Sequence, residues 1–239
     1  MTEPLLRVDG LAAWYGQLQA VRGVSFEVDA GAALAVIGEN GAGKTTLFHS
    51  ICGLHDAVTG EVVLAGERLR GLPAHDIVRR GIALVPEGRR IFPSLTVDEN
   101  LRVAEDQHAR RKSARARRWT RDRVYDLFPD LRAAARRGGH QISGGQQQML
   151  AIGRALLSEP RVLLLDEVSL GLSPAVVKLL YQALAAIRAE GMTLVFVEQD
   201  VARSLAFSDH LVCLHKGSVR LAGASRARSL DDVRRAYFG

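Results

Sequence analysis

Cysteine is scarce in this chain. The two present, Cys52 and Cys213, are separated by most of the sequence and sit in apolar surroundings. That excludes a disulfide framework and suits a reducing compartment, with both thiols expected to be buried. Proline is also sparse, 7 residues against 23 glycines, and no low-complexity linker or internal repeat appears, so collagen-like, mucin-like and disordered polypeptides are excluded. Long apolar runs are missing. The longest, residues 32–37, falls far short of the roughly 18 residues a membrane-spanning helix needs. Glu3, Arg7 and Asp9 leave no readable secretory signal among the first ten residues, and the protein is expected to remain inside the cell. The 7 histidines show no metal-ligand spacing.

What is present is enough for an enzyme. At 239 residues and 26.0 kDa, the chain fits one large domain or a domain with a subdomain. Its 32 basic and 26 acidic residues leave a net charge of +6, which favours anionic partners without choosing among nucleotides, nucleic acid and lipid surfaces.

Short strands are expected at Leu5–Val8, Val24–Val28, Leu34–Ile37, Glu61–Leu64 and Ile82–Val85. Thr96 and Glu99 form a capping box that starts a helix, and an arginine-laden stretch continues to Arg137, reading as an inserted helical subdomain. Strand Val162–Leu165 follows Pro160, then a helix with Ser173 as N-cap and Pro174 as first residue, closing near Gly191. Strand Leu194–Val197, helix Val201–Phe207 and strands Leu211–Leu214 and Val219–Leu221 complete the pattern. Strands alternating with helices imply a largely parallel sheet covered on both faces.

The chemistry is concentrated in three segments. Gly38-Glu39-Asn40-Gly41-Ala42-Gly43-Lys44-Thr45, with Thr46 next, matches G-x-x-x-x-G-K-[ST] directly after a strand and before a helix. Glycines let successive N–H groups point at phosphate oxygens, Lys44 bridges the terminal phosphates, and Thr45 offers a hydroxyl to Mg2+. Asp166 and Glu167 end a buried-type strand at the edge where parallel sheets present ligands. Asp166 is expected to hold Mg2+ through water and Glu167 to orient the attacking water. In Ile142-Ser143-Gly144-Gly145-Gln146-Gln147, Ser143 and Gln146 form a second capping box, opening a helix toward Ser158. Its two glycines make a further anion-accepting helix N-terminus; since the phosphate loop already serves the chain's own nucleotide, action on another molecule is implied.

Together these segments resemble the ATP-binding cassette ATPases, the motor subunits of ABC transporters, over essentially the whole chain. The resemblance implies a P-loop NTPase fold: a mostly parallel α/β core, an N-terminal antiparallel β part, and a helical subdomain at about 89–158 inside a single domain of 1–239. It further implies that two subunits pair head to tail, Ser143, Gly144, Gly145 and Gln146 of one capping the phosphate held by the other, and that Tyr15 stacks on adenine.

Where most members of the family carry Gln and His, this chain has Glu87 and Gln199. With Ser169–Pro174 and the closing Ala236-Tyr237-Phe238-Gly239, these make it similar to the second, shorter ATPase of branched-chain amino acid importers. Val168 and Ser173 replace a usual proline and aspartate. Glu87 can offer an oxygen toward Mg2+, whereas the Gln199 amide hydrogen-bonds but does not titrate, which makes hydrolysis at this site slower.

The implied protein hydrolyses ATP with Mg2+ on the cytoplasmic face of the inner membrane, as a peripheral subunit. Its implied partners are permease subunits, a solute-binding protein and a second, homologous ATPase forming a heterodimer. Urea or amide import is the nearest substrate alternative, and a soluble ABC-type protein of DNA repair or translation the rival class. The basic stretch Arg110, Arg111, Lys112, Arg115, Arg117, Arg118, Arg121 and Arg123 has only Asp122 opposing it locally, and reads as a solvated arm first and a lipid-attracted surface second. Nucleic acid is not expected, because Trp119 is its one interleaved aromatic.

Overall fold

Side chains alternate across a β-strand, so a strand that is apolar throughout must be buried on both faces. The strands at the centre of this protein behave in that way. A computed structural model describes residues 3–109 and 118–238. In chain order the elements are β1 (Leu6–Tyr15), β2 (Leu18–Val28), β3 (Ala33–Gly38), α1 (Lys44–Ile51), β4 (Val58–Leu64), β5 (Glu67–Arg68), α2 (Ala74–Arg80), β6 (Ile82–Val85), α3 (Val97–Ala109), α4 (Arg121–Leu127), α5 (Pro129–Ala133), α6 (Gly144–Leu156), β7 (Val162–Asp166), α7 (Pro174–Ala189), β8 (Thr193–Val197), α8 (Val201–Phe207), β9 (His210–His215), β10 (Ser218–Ala224) and α9 (Leu230–Phe238).

Two sheets result. One is antiparallel, ordered β2-β1-β4-β5. The other is ordered β10-β9-β3-β8-β7-β6, parallel from β9 to β6, with β10 closing its edge antiparallel to β9. In β3, Ala33, Ala35 and Ile37 face one core while Leu34 and Val36 face the other. β7 divides Leu163 and Leu165 from Val162 and Leu164 in the same way. The first core continues into α6 and α7 through Leu150, Ile152, Leu180 and Leu184; the second holds α1, by Leu47, Phe48 and Ile51, against β1 and β2. With each fully buried aliphatic or aromatic side chain contributing roughly 1.5–3 kcal/mol, a charge at the end of such a strand needs a reason. Asp166 is that charge. No helix among the described residues is long and apolar enough to cross a membrane.

The N-terminal strands run longer than the sequence pattern indicates. β1 extends to Tyr15 and β2 begins at Leu18, because register shifts between Val8 and Leu11, Leu11 and Ala13, and Ala13 and Trp14 break the alternation that marks a strand. α2, α9 and β5 are unexpected and short, at most 9 residues, while the equally short α4 and α5 fall within the expected helical subdomain. Both capping boxes form. Thr96 N donates to Glu99 Oε2 at 2.8 Å and Glu99 N to Thr96 Oγ1 at 3.2 Å. Ser173 precedes Pro174 in extended backbone, but its side chain caps nothing; the fixed φ of Pro174 starts α7 without it.

On α6, a side chain at Gly153 would meet Val124 and Leu101, so α3 and α4 close on this helix through the absence of a Cβ. Of the basic stretch, Arg110, Arg111, Lys112, Arg115 and Arg117 lie outside the described residues. The other three are not an unopposed arm. Arg121 binds Asp98 at 2.9 Å and Glu105 at 2.6 Å, and Arg123 reaches Glu190 at 2.7 Å, with Arg118 3.7 Å from the same carboxylate. These carboxylates are distant in sequence, so local charge counting misses them. Cys52 and Cys213 are buried free thiols, pushed up by burial to about 12 and about 11.

Candidate active site

The turn after β3 is shaped by close backbone approach. At Gly38, with φ +152°, a Cβ would run into the Leu214 carbonyl oxygen of β9; at Gly43, with φ +99°, it would run into that of Ala20. Only glycine fits both positions. Gly217 N donates to Ala42 O at 3.0 Å, bracing the turn from the β9–β10 connection. α1 then begins with Gly43 as a cap that offers no side-chain acceptor and no acidic residue in its first turn. Its N-terminal N–H groups are therefore left for an anion. Lys44 is buried, its Nζ donating to Gly38 O at 2.8 Å and Glu39 O at 2.9 Å. An ammonium has three donors, so one remains to face the cleft.

Two carboxylates stand opposite. Asp166 closes β7 in register with Val197 of β8, is 1% exposed, and has no hydrogen-bond partner on either oxygen. Burial pushes its carboxyl up to about 6; Glu167 and Glu87 add to that, while the neighbouring Thr45 hydroxyl and Lys44 pull the other way. A buried carboxylate left without donors, beside a threonine hydroxyl, is a donor set that fits a hard divalent cation such as Mg2+. Glu167 adopts φ +46°, unusual for a residue with a side chain. Its Oε1 lies 3.6 Å from Lys44 Nζ, and its Oε2 accepts a 2.8 Å hydrogen bond from Gln199 Nε2.

A cleft of about 610 Å3 unites most of the residues singled out from the sequence: Tyr15, Asn40, Gly41, Gly43, Lys44, Thr45, Thr46, Glu87, Glu167 and Gln199 line it. Gly38, Glu39, Ala42 and Asp166 are not among its lining residues. Tyr15 is 53% exposed, an open ring at the rim, with its hydroxyl 3.5 Å from Thr46 Oγ1. His55 packs against the tyrosine in a tilted arrangement, ring centroids 4.6 Å apart, and His55 Nε2 is 2.9 Å from Trp14 O. Sequence reasoning missed His55, and also Leu18 and Leu170, exposed apolar side chains that line the cleft. It missed Glu198 as well, a 3% exposed carboxylate beside Gln199.

Ser143, Gly144, Gly145 and Gln146 do not line this cleft. They open α6, where Ser143 Oγ accepts from Gln146 N at 3.3 Å and Gln146 Oε1 from Ser143 N at 3.0 Å. Arg89 lies over Gly144 and donates to Gln147 Oε1 at 3.0 Å, adding positive charge at this helix N-terminus. The exposed serine cap therefore stands apart from the cleft that the chain's own phosphate-loop residues line.

A family profile described as ABC transporter matches residues 21–169. The chain is 40% identical over 241 residues to the high-affinity branched-chain amino acid transport ATP-binding protein BraG of Pseudomonas aeruginosa, covering 98% of this chain and 100% of that one. It is 33% identical over 255 residues to BraF of the same organism, which bears the same description, covering 100% and 99%. The fold is also that of a crystallised nucleotide-free ATP-binding cassette from an ABC transporter, with a TM-score of 0.84 at 24% identity over 99% and 100% of the two chains.

Proposed function

The chain belongs to the ABC transporter family of ATP-binding proteins, and from that premise we propose that it is the ATP-hydrolysing motor of an importer for branched-chain amino acids, acting through separate permease subunits. The observation that carries this reading is the single cleft in which the carboxylate after β7 contacts both the phosphate-loop lysine and the amide after β8. The substrate class rests on the named relatives, which align over the full chain.

The chain is one ATPase domain, 1–239, with α3 to α6 inside a helical part at about 89–158. Lys44 turns its free donor to the terminal phosphates, and the N–H groups at the start of α1 take the remaining charge. With Lys44 engaged by phosphate, Glu167 Oε1 is released to orient the attacking water and accept its proton. Gln199 holds the other oxygen and fixes the carboxylate's direction. Asp166, Thr45 and Glu87 would hold Mg2+, which when bound would neutralise charge on the phosphates. Tyr15 presents its open face to adenine. Ser143 and the glycines after it cap a phosphate held by a second subunit, which has the same fold. That subunit is a homologous ATPase rather than a second copy, a reading supported by the presence of two such relatives in one organism. A solute-binding protein completes the system, and the chain works as a peripheral subunit at the cytoplasmic face.

The test is reconstitution in vesicles with the permease and the second ATPase. ATP-dependent uptake of leucine, isoleucine and valine is expected. Uptake of an unrelated solute, or turnover without any membrane coupling, overturns the assignment.

A further inference from the structure

We propose that Glu198 is a positioning residue for hydrolysis: its buried carboxylate ties the loop after β7 to the loop after β8 and thereby sets the contact between Gln199 and Glu167. This rests on the reading of Glu167 as the group that orients water.

The two loops leave the sheet side by side, since Asp166 and Val197 are register partners at the ends of β7 and β8. Beyond that pair the chains diverge, Glu167 into a turn and Gln199 onto the surface, so the ladder alone does not fix where their side chains meet. Glu198 bridges the gap. Its Oε2 accepts from Ser169 Oγ at 2.9 Å, two residues past Glu167, and its Oε1 accepts from Tyr181 OH of α7 at 2.8 Å. Arg203 of α8 approaches Oε2 to 3.7 Å, lies over the Tyr181 ring at 5.4 Å from its centroid, and is held by Asp200 at 3.0 Å. Each oxygen of a 3% exposed carboxylate thus has a hydroxyl donor, and the charge has one cation. Such fully satisfied buried networks hold one geometry and discriminate against others.

The arrangement couples three elements to one hydrogen bond. Glu198 and Gln199 are consecutive, so a shift in one backbone position moves the 2.8 Å bond from Gln199 Nε2 to Glu167 Oε2. None of Glu198, Tyr181, Ser169 or Arg203 lines the cleft. Their effect is therefore on the orientation of Glu167 and not on nucleotide binding. Misplacement of a reacting group by about 1 Å can cost about 10²-fold in rate.

The experiment is a double-mutant cycle in the full chain, reading kcat and KM for MgATP together with thermal stability. Glu198→Ala is expected to lower kcat about 10²-fold with KM within about twofold of wild type, and Glu198→Gln, which keeps one acceptor, about 10-fold. Because both residues act through the same carboxylate, adding Glu198→Ala to Gln199→Ala should slow the enzyme no further than the slower single variant. If Glu198→Ala does not fold, Glu198→Gln takes its place in the cycle. Losses that multiply in the double variant, or a change in KM at unaltered kcat, overturn the positioning role. Glu167→Gln separates the two readings: full turnover in that variant sinks the role of Glu167 itself, whereas abolished turnover with multiplying losses at 198 and 199 sinks only the inference about Glu198.

Discussion

Lys44 Nζ and Glu167 Oε1 face each other at 3.6 Å, both largely shielded from solvent, so the group proposed to bind phosphate also restrains the group proposed to activate water. The two should fail differently when removed. Lys44→Ala should weaken ATP binding and hydrolysis together, while Glu167→Gln should retain ATP and lose roughly 10²-fold or more in turnover. Equilibrium binding of a fluorescent ATP analogue beside steady-state turnover distinguishes them, and equal loss of binding in both would refute the division of labour.

Ser143 sits on an exposed helix N-terminus away from the cleft. Ser143→Arg should therefore spoil turnover while nucleotide binding by the isolated chain stays near wild type. In a forced homodimer, mixing Lys44→Ala chains with Ser143→Arg chains restores one intact composite site. No recovery in any mixture, with the wild-type homodimer active, rules out action across the boundary.

Gln199 donates an amide hydrogen where a histidine could donate or accept a proton. Loss of one preorganised transition-state contact typically costs on the order of 10² to 10³ in rate, so the site on this chain should be the slower of the two in a heterodimer. Gln199→Ala should harm transport less than replacing the histidine at the matching position of a second ATPase that carries the family's usual residue, as measured by uptake in reconstituted vesicles. Equal damage from both overturns the asymmetry.

Asp166 carries a buried carboxylate without a hydrogen-bond donor. Asp166→Asn removes a buried charge that Lys44 and the Thr45 hydroxyl offset only in part, and the metal-free protein should become more stable, by roughly 2–4 °C in Tm for each kcal/mol relieved. Turnover should collapse in the same variant. A lower Tm in EDTA would show that the carboxylate has a stabilising partner.

Burial raises both thiols above the usual value of 9.0, Cys52 to about 12 and Cys213 to about 11. The folded state then holds protons that the unfolded state releases, so stability falls as pH rises from about 9 through these values. Below about 9 neither thiol contributes to the pH dependence. Urea unfolding at pH 8 and pH 10 should show the loss, and Cys52→Ala should flatten it; native-state alkylation of either thiol at pH 8 should be negligible.

The site was legible wherever its chemistry is written in consecutive residues. The phosphate loop, Asp166-Glu167 and the Ser143/Gln146 box are local: the backbone turn or helix start that each requires is encoded within a few positions. Tyr15 and Gln199 were reached by resemblance. Glu198, Ser169, Tyr181 and Arg203 were not legible, because no spacing rule joins residues of four separate segments that meet only once the sheet and its helices are assembled. His55 behind Tyr15 is hidden for the same reason. In the fold, two-sided burial of β3, β7 and β8 was plain from their apolar runs, but bulges erased the period in β1 and β2. The charge partners of Arg121 and Arg123 are likewise far away in sequence.

The brace behind the phosphate loop also constrains when the protein becomes competent during its synthesis. Gly38 is packed against Leu214, and Gly217 donates to Ala42 and accepts from Arg22 N. The loop is thus complete only after a ribosome has delivered about nine-tenths of the chain, although its own residues emerge within the first fifth. A nascent or prematurely terminated chain carries the whole nucleotide-binding motif without the support that shapes it. ATP capture is then expected to await the last strands of the large sheet, and chains truncated before β9 should show no nucleotide turnover.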